Sequence, residues 1–418
     1  MAGNWIKTAL GDVLTLQRGF DLPAQNRRSG TVPVVASTGI VGRHDKAPVK
    51  SPGVVIGRSG SIGGAQFITD DFWPLNTTLW VKDFKGNYPR FVYYLLCSID
   101  FKGFNVGSGV PTLNRNHIHS LAVSIPSSYS EQKAIAHILG TLDDKIELNQ
   151  QMNRNLEAIA SAIFKSWFVD FDPVRAKLEG RQPVGMDAAT TALFPDSFED
   201  SSLGEIPKGW MLGSLANLCV VQGGFAYKSK DFMQEGGYPV IKIKNIREDG
   251  TVDIDDIQYI PNQIAHKTSD YWLKNGELVM AMTGATVGKF ALILNRQLLS
   301  LLNQRVARIS PLKKYGGFVW FVYCALLETD LVDQIISIAD GSAQPNISAS
   351  GIESARLVIP PDSLIKSFNQ KANALFDKII SNRVESRTLI ATRDTLLPKL
   401  MSGEIRVKEA EKILEDVA

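Results

Sequence analysis

The stretch IAHILGTLDDKIELNQQMNRNLEAIASAIFKSW, residues 135–167, decides how this chain folds. Its apolar residues recur at spacings of four and three: Ile135, Leu139, Leu142, Ile146, then Leu156, Ala160, Ile163 and Trp167. The same ladder returns 233 positions later as Phe368, Ala372, Leu375, Ile379, then Leu389, Leu396 and Leu400. The gaps in both ladders are polar, at Asn149 and Asn153 in the first and at Asn382 and Ser386 in the second. One further interruption, Arg393, stands where the first copy has Ala160. A four-three repeat held over so many turns is the pattern of a coiled-coil seam. Each helix spans about 35 residues, roughly 50 Å at 1.5 Å per residue. Neither stripe is wide enough to be buried on all sides, so each helix needs a partner. The other copy is the nearest candidate. Packed antiparallel about their midpoints, the ladders place Asn153 against Asn382 and Asn149 against Ser386 in one polar layer.

The globular stretches around these helices are also duplicated. Trp5 matches Trp210, and Leu16-Gln17-Arg18-Gly19-Phe20 matches Val221-Gln222-Gly223-Gly224-Phe225. Pro33-Val34-Val35 matches Pro239-Val240-Ile241, and Ser59-Gly60-Ser61-Ile62-Gly63 resembles Thr283 to Gly288 with one insertion. Leu75-Asn76 is aligned with Leu302-Asn303, Gly107-Ser108 and Pro111 with Gly341-Ser342 and Pro345, and Ile125-Pro126 with Ile359-Pro360. The offset drifts upward along the chain, which means insertions in the second unit's loops. Internal duplication is the strongest organisational signal in the sequence. It predicts a first recognition domain over 1–129, a first coiled-coil helix over 130–177 and a linker over 178–205. A second recognition domain follows over 206–363, a second coiled-coil helix over 364–403 and a tail over 404–418. The expected fold class is α/β (α+β): two globular copies separated by a pair of long antiparallel helices, with a pseudo-two-fold internal repeat.

Composition bounds the chemistry. Residues 1–128 hold 13 Lys+Arg against 7 Asp+Glu, whereas residues 129–205 hold 7 against 13. Residues 206–362 balance at 15 each. A basic first unit favours a polyanion partner. In the neutral second unit an anion-binding face has to be local. Cys97, Cys219 and Cys324 are too scattered for a disulfide framework or a zinc site and fit a reducing compartment. With no secretory leader and no long uncharged apolar run, the chain is expected to be soluble, cytoplasmic and without a membrane partner.

Catalytic signatures are missing or incomplete. Gly284 to Phe290 resembles a phosphate loop but is one residue short, and Phe290 replaces the hydroxyl that would hold magnesium. Ile359-Pro360-Pro361-Asp362 is not an amino-methyltransferase motif, and no Gly-rich loop after a strand offers an S-adenosylmethionine site. His117 and His119 lack further ligands near them in sequence. Asp70, Asp71 and Glu277 lack the partners of a nuclease. No metal site and no catalytic residue are expected.

Basic and polar residues on the loops are the better candidates, since Arg, Lys, Asn and Gln hydrogen-bond base edges while Lys and Arg also hold phosphate. In the first unit they are Arg18, Arg27, Arg28, Arg43, His44, Lys46, Arg58, Ser59 and Arg115. In the second they are Tyr227, Lys228, Lys230, Lys242, Lys244, Asn245, Thr283, Lys289 and Arg305.

Two further segments carry a family resemblance. Phe164-Lys165-Ser166-Trp167-Phe168-Val169-Asp170-Phe171-Asp172-Pro173-Val174-Arg175-Ala176-Lys177 resembles the central conserved region of the specificity subunits of type I restriction–modification systems. Leu396-Leu397-Pro398-Lys399-Leu400-Met401-Ser402-Gly403-Glu404-Ile405-Arg406-Val407 resembles their C-terminal signature, and Gly204 to Trp210 their second-unit opening. The resemblance implies target-recognition domains that read a bipartite site on double-stranded DNA, split by a nonspecific spacer. It implies two modification subunits that bring S-adenosylmethionine and methylate adenine, and restriction subunits that bring ATP and Mg2+. The chain itself would bind no cofactor. Two other readings follow from the same features: a DNA-free coiled-coil scaffold that binds proteins, and a self-contained methyltransferase-nuclease.

Overall fold

The structure, a computed structural model, describes residues 5–107, 109–254, 256–274, 276–293, 299–315, 319–339 and 345–415. Ser108, Gly341 and Ser342 of the expected repeat lie outside them. The chain forms two compact units, Met1–Glu147 with Ser386–Ala418, and Leu148–Glu385. The division falls inside both long helices, Tyr129–Phe168 and Asp362–Ser402, so each unit owns half of each.

The first unit is built on an antiparallel sheet in the order Thr15–Arg18, Thr78–Asp83, Gly53–Gly57, Gly63–Ile68. Gly53–Gly57 is buried throughout, which suits its Val54-Val55-Ile56 run to an interior strand. A second sheet orders Gly39–His44, Val32–Ala36 and Trp73–Pro74, the last two parallel. Trp5–Ala9 pairs with Ala122–Pro126. The helix Pro89–Cys97 starts on proline, whose missing N–H is not needed in a first turn, and buries Phe91, Val92, Leu95 and Leu96. These residues join Leu10, Leu14, Ile56 and Leu79 in one core with Ile135, Leu139, Leu142, Leu396 and Leu400 of the long helices.

The second unit repeats this plan. Its main sheet runs Cys219–Gly223, Val306–Pro311, Leu278–Ala281, Phe290–Leu292, and its second sheet runs Gln258–Ile260, Tyr238–Ile241, Ser300–Leu302, Trp272–Leu273. Met211–Ser214 pairs with Arg356–Ile359 as Trp5–Ala9 does with Ala122–Pro126. One alignment shifts by a residue. The Thr78 N–H donates to the Leu75 carbonyl, and the Val306 N–H to the Asn303 carbonyl, both at 2.9 Å. Leu75 is therefore equivalent to Asn303 rather than Leu302, because strand pairing and not residue identity sets the register.

The long helices pack antiparallel inside each unit. In the second unit, Phe164 lies against Phe368 and Asn153 accepts from Asn382 Nδ2 at 2.9 Å. In the first, Arg393 pairs with Asp143 at 2.8 Å and Arg406 with Glu131 at 3.1 Å. Asn149 donates to Glu385 at 2.9 Å. Burial extends beyond the four-three ladder to Ile138, Phe164, Phe168, Phe376 and Ile380, because the helices also line the globular cores.

Within the segment 130–177 the first long helix stops at Phe168, ahead of the Asp172-Pro173 break. After a left-handed residue, Phe171, a separate helix Asp172–Leu178 begins with Pro173 in its first turn. The expected linker is ordered: Ala188–Ala192 is helical, Phe198–Ser201 pairs with Gly204–Pro207, and Phe194 is buried beside Trp167 and Trp210. The expected tail carries a helix, Val407–Glu415, whose Ala410 is buried in the first unit's core. Its Val407, Ala410 and Leu414 fall at helical spacing and pack against that core.

Candidate nucleic-acid interface

At one end of each main sheet three loops are tied into the same backbone platform. In the first unit the Arg58 N–H donates to the Thr77 carbonyl (2.8 Å), the Gly60 N–H to Pro111 (3.0 Å) and the Leu113 N–H to Arg58 (2.8 Å). In the second, Met282 donates to Arg305 (2.9 Å), Gly284 to Pro345 (2.9 Å) and Ile347 to Met282 (3.0 Å). Isolated bridges Ser59 to Thr112 and Thr283 to Asn346 complete the match. These three backbone bonds and the bridge are thus duplicated, while the side chains on them differ. A rigid scaffold that presents variable loop side chains is where binding specificity generally resides.

The structure sorts the sequence candidates into two groups. Arg18, Arg58 and Ser59 stand at the first platform, with Arg115 opening the helix just beyond Leu113. Arg58 donates to the Asn76 carbonyl at 3.2 Å, and Arg18 pairs weakly with Asp21 at 3.8 Å. Arg27, Arg28, Arg43 and Lys46 gather instead where Val32–Ala36 begins and Gly39–His44 ends. That strand separates them from the platform by about 13 Å at roughly 3.3 Å per residue. Arg27 donates to the Val41 carbonyl and Arg43 to that of Thr31, while Arg28 pairs with Asp45 at 3.6 Å. His44 is buried, its Nδ1 accepting from the Arg28 N–H, so it supports the loop and does not face solvent.

In the second unit Thr283, Lys289 and Arg305 stand at the platform, and Lys242 and Lys244 follow the adjoining strand end. Lys244 is paired with Asp256 at 2.6 Å and Lys289 with Glu248 at 2.9 Å. Both pairs have an exposed partner, and such pairs are weak enough to be exchanged for a phosphate. Lys230 lies on the turn Ser229–Asp231, the counterpart of Ala24–Asn26, and Lys228 directly precedes it, so both belong with the second group. Lys46, Arg115, Lys228, Lys230 and Arg305 are exposed and carry no ion pair among the described residues.

Three candidates of the second unit change role. Tyr227 is buried among Val240, Ile260 and Leu301, with its hydroxyl bonded to Thr268. Asn245 is 1 % exposed and spends its side chain on the Lys242 N–H and the Asp253 and Asp256 carbonyls. Both hold their loops in shape. Lys242 is half-buried over the Phe232 ring at 3.3 Å, and burial, then Lys244, lower its pKa. Asn76, Thr77, Thr112, Gln304 and Asn346 are platform residues that were not among the candidates. Their signals in the sequence were the Leu75-Asn76 match, which is displaced by the one-residue shift, and the match of Pro111 with Pro345 beside Thr112 and Asn346.

The decoys have structural explanations. His119 Nε2 accepts the Leu16 N–H at 2.9 Å, and burial, then Arg115 and Lys85, lower its pKa, so it is a neutral acceptor inside the fold. The loop from Gly284 to Lys289 is a tight turn whose lysine is held by Glu248. Among the described residues no group of His, Cys, Asp or Glu could hold a metal ion, and no helix is long and apolar enough to cross a membrane.

The family model described as the type I restriction modification DNA specificity domain matches residues 3–158 and again 207–388. The chain is 27 % identical over 338 residues to the type I restriction enzyme MjaIX specificity subunit of Methanocaldococcus jannaschii, covering 78 % of this chain and 71 % of that one. It is 29 % identical over 365 residues to the HindI specificity subunit of Haemophilus influenzae, covering 76 % and 77 %. The crystal structure of a type I restriction-modification S subunit from M. genitalium shares the fold, with a TM-score of 0.62, 18 % identity and 96 % coverage of both chains.

Proposed function

Since the chain belongs to the DNA specificity family of type I restriction–modification systems, we propose that it reads a bipartite, asymmetric site on double-stranded DNA, one half-site per platform. The observation that carries this reading is the duplicated platform with unlike side chains: two equivalent scaffolds in one chain, each able to present its own hydrogen-bond pattern to base edges. The paired long helices would act as the ruler that sets the spacer between half-sites. The chain supplies the address. Two modification subunits with S-adenosylmethionine would methylate adenine, and restriction subunits with ATP and Mg2+ would cleave. In this reading the chain is non-catalytic, binds no cofactor of its own and works in the cytoplasm.

The test is methylation mapping in cells that carry this chain with its modification subunits. The expected result is a split motif with unlike halves that changes when the platform loops of one unit are exchanged. A contiguous motif, or methylation that does not depend on this chain, overturns the reading. Retention on DNA should weaken steeply with salt, as phosphate contacts do; retention indifferent to salt would favour a protein-binding scaffold. Isolated chain that binds S-adenosylmethionine in a calorimeter would overturn the division of labour.

A further inference from the structure

The two platforms place an arginine on the same rung but on opposite strands of it. In the first unit the rung joins Arg58 to Thr77; in the second it joins Met282 to Arg305. The guanidinium has changed sides while the hydrogen bond beneath it stays at 2.8 and 2.9 Å. Next to each rung is a glycine in the left-handed region, Gly60 at φ +81° and Gly284 at φ +69°. A Cβ built at either meets nothing within 4 Å, so the space above the rung is open to close approach by a ligand. Arg305 is exposed and carries no ion pair among the described residues. Arg58 is half-buried and braced from one side by the Asn76 carbonyl, which leaves part of its fork to donate outward.

On the reading proposed above, we infer that this rung is the specificity-determining position of each unit, and that Arg58 and Arg305 each read a guanine in their own half-site. A planar fork of donors matches the O6 and N7 acceptors of guanine in the major groove, and the fork of Arg58, braced by Asn76, loses less freedom on binding. An arginine held on a platform fixed by three backbone hydrogen bonds suits a base contact. The pair-exchanged cations Lys244 and Lys289 suit phosphate. The side exchange gives the two halves different geometry from one scaffold, which is one way a duplicated chain comes to read unlike half-sites.

The experiment uses the complete complex with its modification subunits, comparing wild type, Arg58→Lys and Arg305→Lys. Methylation is mapped, and binding is measured on DNA in which each base pair of the site is replaced in turn. Lysine keeps the charge and loses the fork. The expected result is that each variant loses preference at one G·C pair in one half-site, by roughly 5- to 150-fold. The other half-site and the salt slope stay as in wild type. Variants that keep every base preference, or that weaken equally on all sequences, would assign the rung to phosphate or to structure and overturn the inference. Thermal unfolding of each variant separates a misfolded unit from an altered one. A wild-type complex with no split motif would instead reject the underlying reading, so the two failures are distinguishable.

Discussion

Asp187 caps the helix Ala188–Ala192 and holds the segment ahead of the second unit's sheets. Its carboxylate accepts from the Thr190 N–H and hydroxyl, both at 2.7 Å, and from Lys371 at 3.1 Å. The Thr190 N–H, the Thr190 hydroxyl and then Lys371 hold its pKa well below the usual carboxylate range. A carboxyl depressed in the folded state stabilises above its unfolded pKa, and the benefit is lost as pH falls through the folded value. The melting temperature of wild type should therefore fall more steeply below about pH 4 than that of Asp187→Asn. Parallel pH profiles for the two proteins would show that the cap contributes no pH-dependent stability.

The paired helices carry polar contacts placed within an apolar stripe. Arg393, the interruption in the second ladder, is that kind of residue: it reaches Asp143, which also accepts the Tyr94 hydroxyl at 2.6 Å. Both charged groups are mostly buried, at 28 % and 20 % exposure, so Arg393→Ala should cost about 1.5–3 kcal/mol in denaturant unfolding. Asp394 contacts the same arginine from a 57 % exposed position, and Asp394→Ala should change stability by less than about 1 kcal/mol. Equal effects would mean that burial does not set the strength of this cluster. The Asn382–Asn153 bond makes a second prediction. Asn153→Leu alone removes this buried bond and should destabilise by about 0.5–1.5 kcal/mol. Replacing Asn149, Asn153, Asn382 and Ser386 together by Leu should raise thermal stability while loosening register or oligomeric state. A quadruple variant less stable than Asn153→Leu sinks the argument.

At the scale of the molecule, each compact unit takes a share of both long helices. The first unit's core includes Leu396, Leu400, Met401 and Ala410 from the far end of the chain. A fragment of residues 1–205 lacks them, so Leu139 and Leu142 lose their cover. The stripe from Leu156 to Trp167 of a second copy has the same spacing, and a symmetric antiparallel pair would close on itself. The fragment is expected to dimerise and, with modification subunits, to direct methylation to an inverted repeat of the first half-site. In that dimer Asp143 meets Ala160 where it has Arg393 in the full chain, and the acidic balance of residues 129–205 opposes association, so moderate salt should help. Sedimentation followed by methylation mapping decides it. A strict monomer at high micromolar concentration shows that the halves are not interchangeable.

The sequence by itself determined the two helix ladders, the duplication and the family, because each is carried by short-range spacing or by contiguous motifs. Periodicity puts Leu139 and Leu396 on buried faces whatever surrounds them. It could not say which loop residues are available. Tyr227 and Asn245 look like binding residues in the chain, but their polar atoms are taken up by Thr268 and by the Asp253 and Asp256 carbonyls. Nor could residue identity show that Thr77 and Arg305 occupy one equivalent place. That equivalence is set by hydrogen bonds between loops distant in sequence, and a one-residue slip in pairing is invisible until the strands are brought together. The C-terminal helix makes the same point. Val407–Glu415 is a short amphipathic run, and only packing of its Val407, Ala410 and Leu414 in the first unit's core turns it from a tail into part of the fold. Local pattern is a property of neighbouring residues, whereas burial and pairing are properties of the whole chain once it has closed on itself.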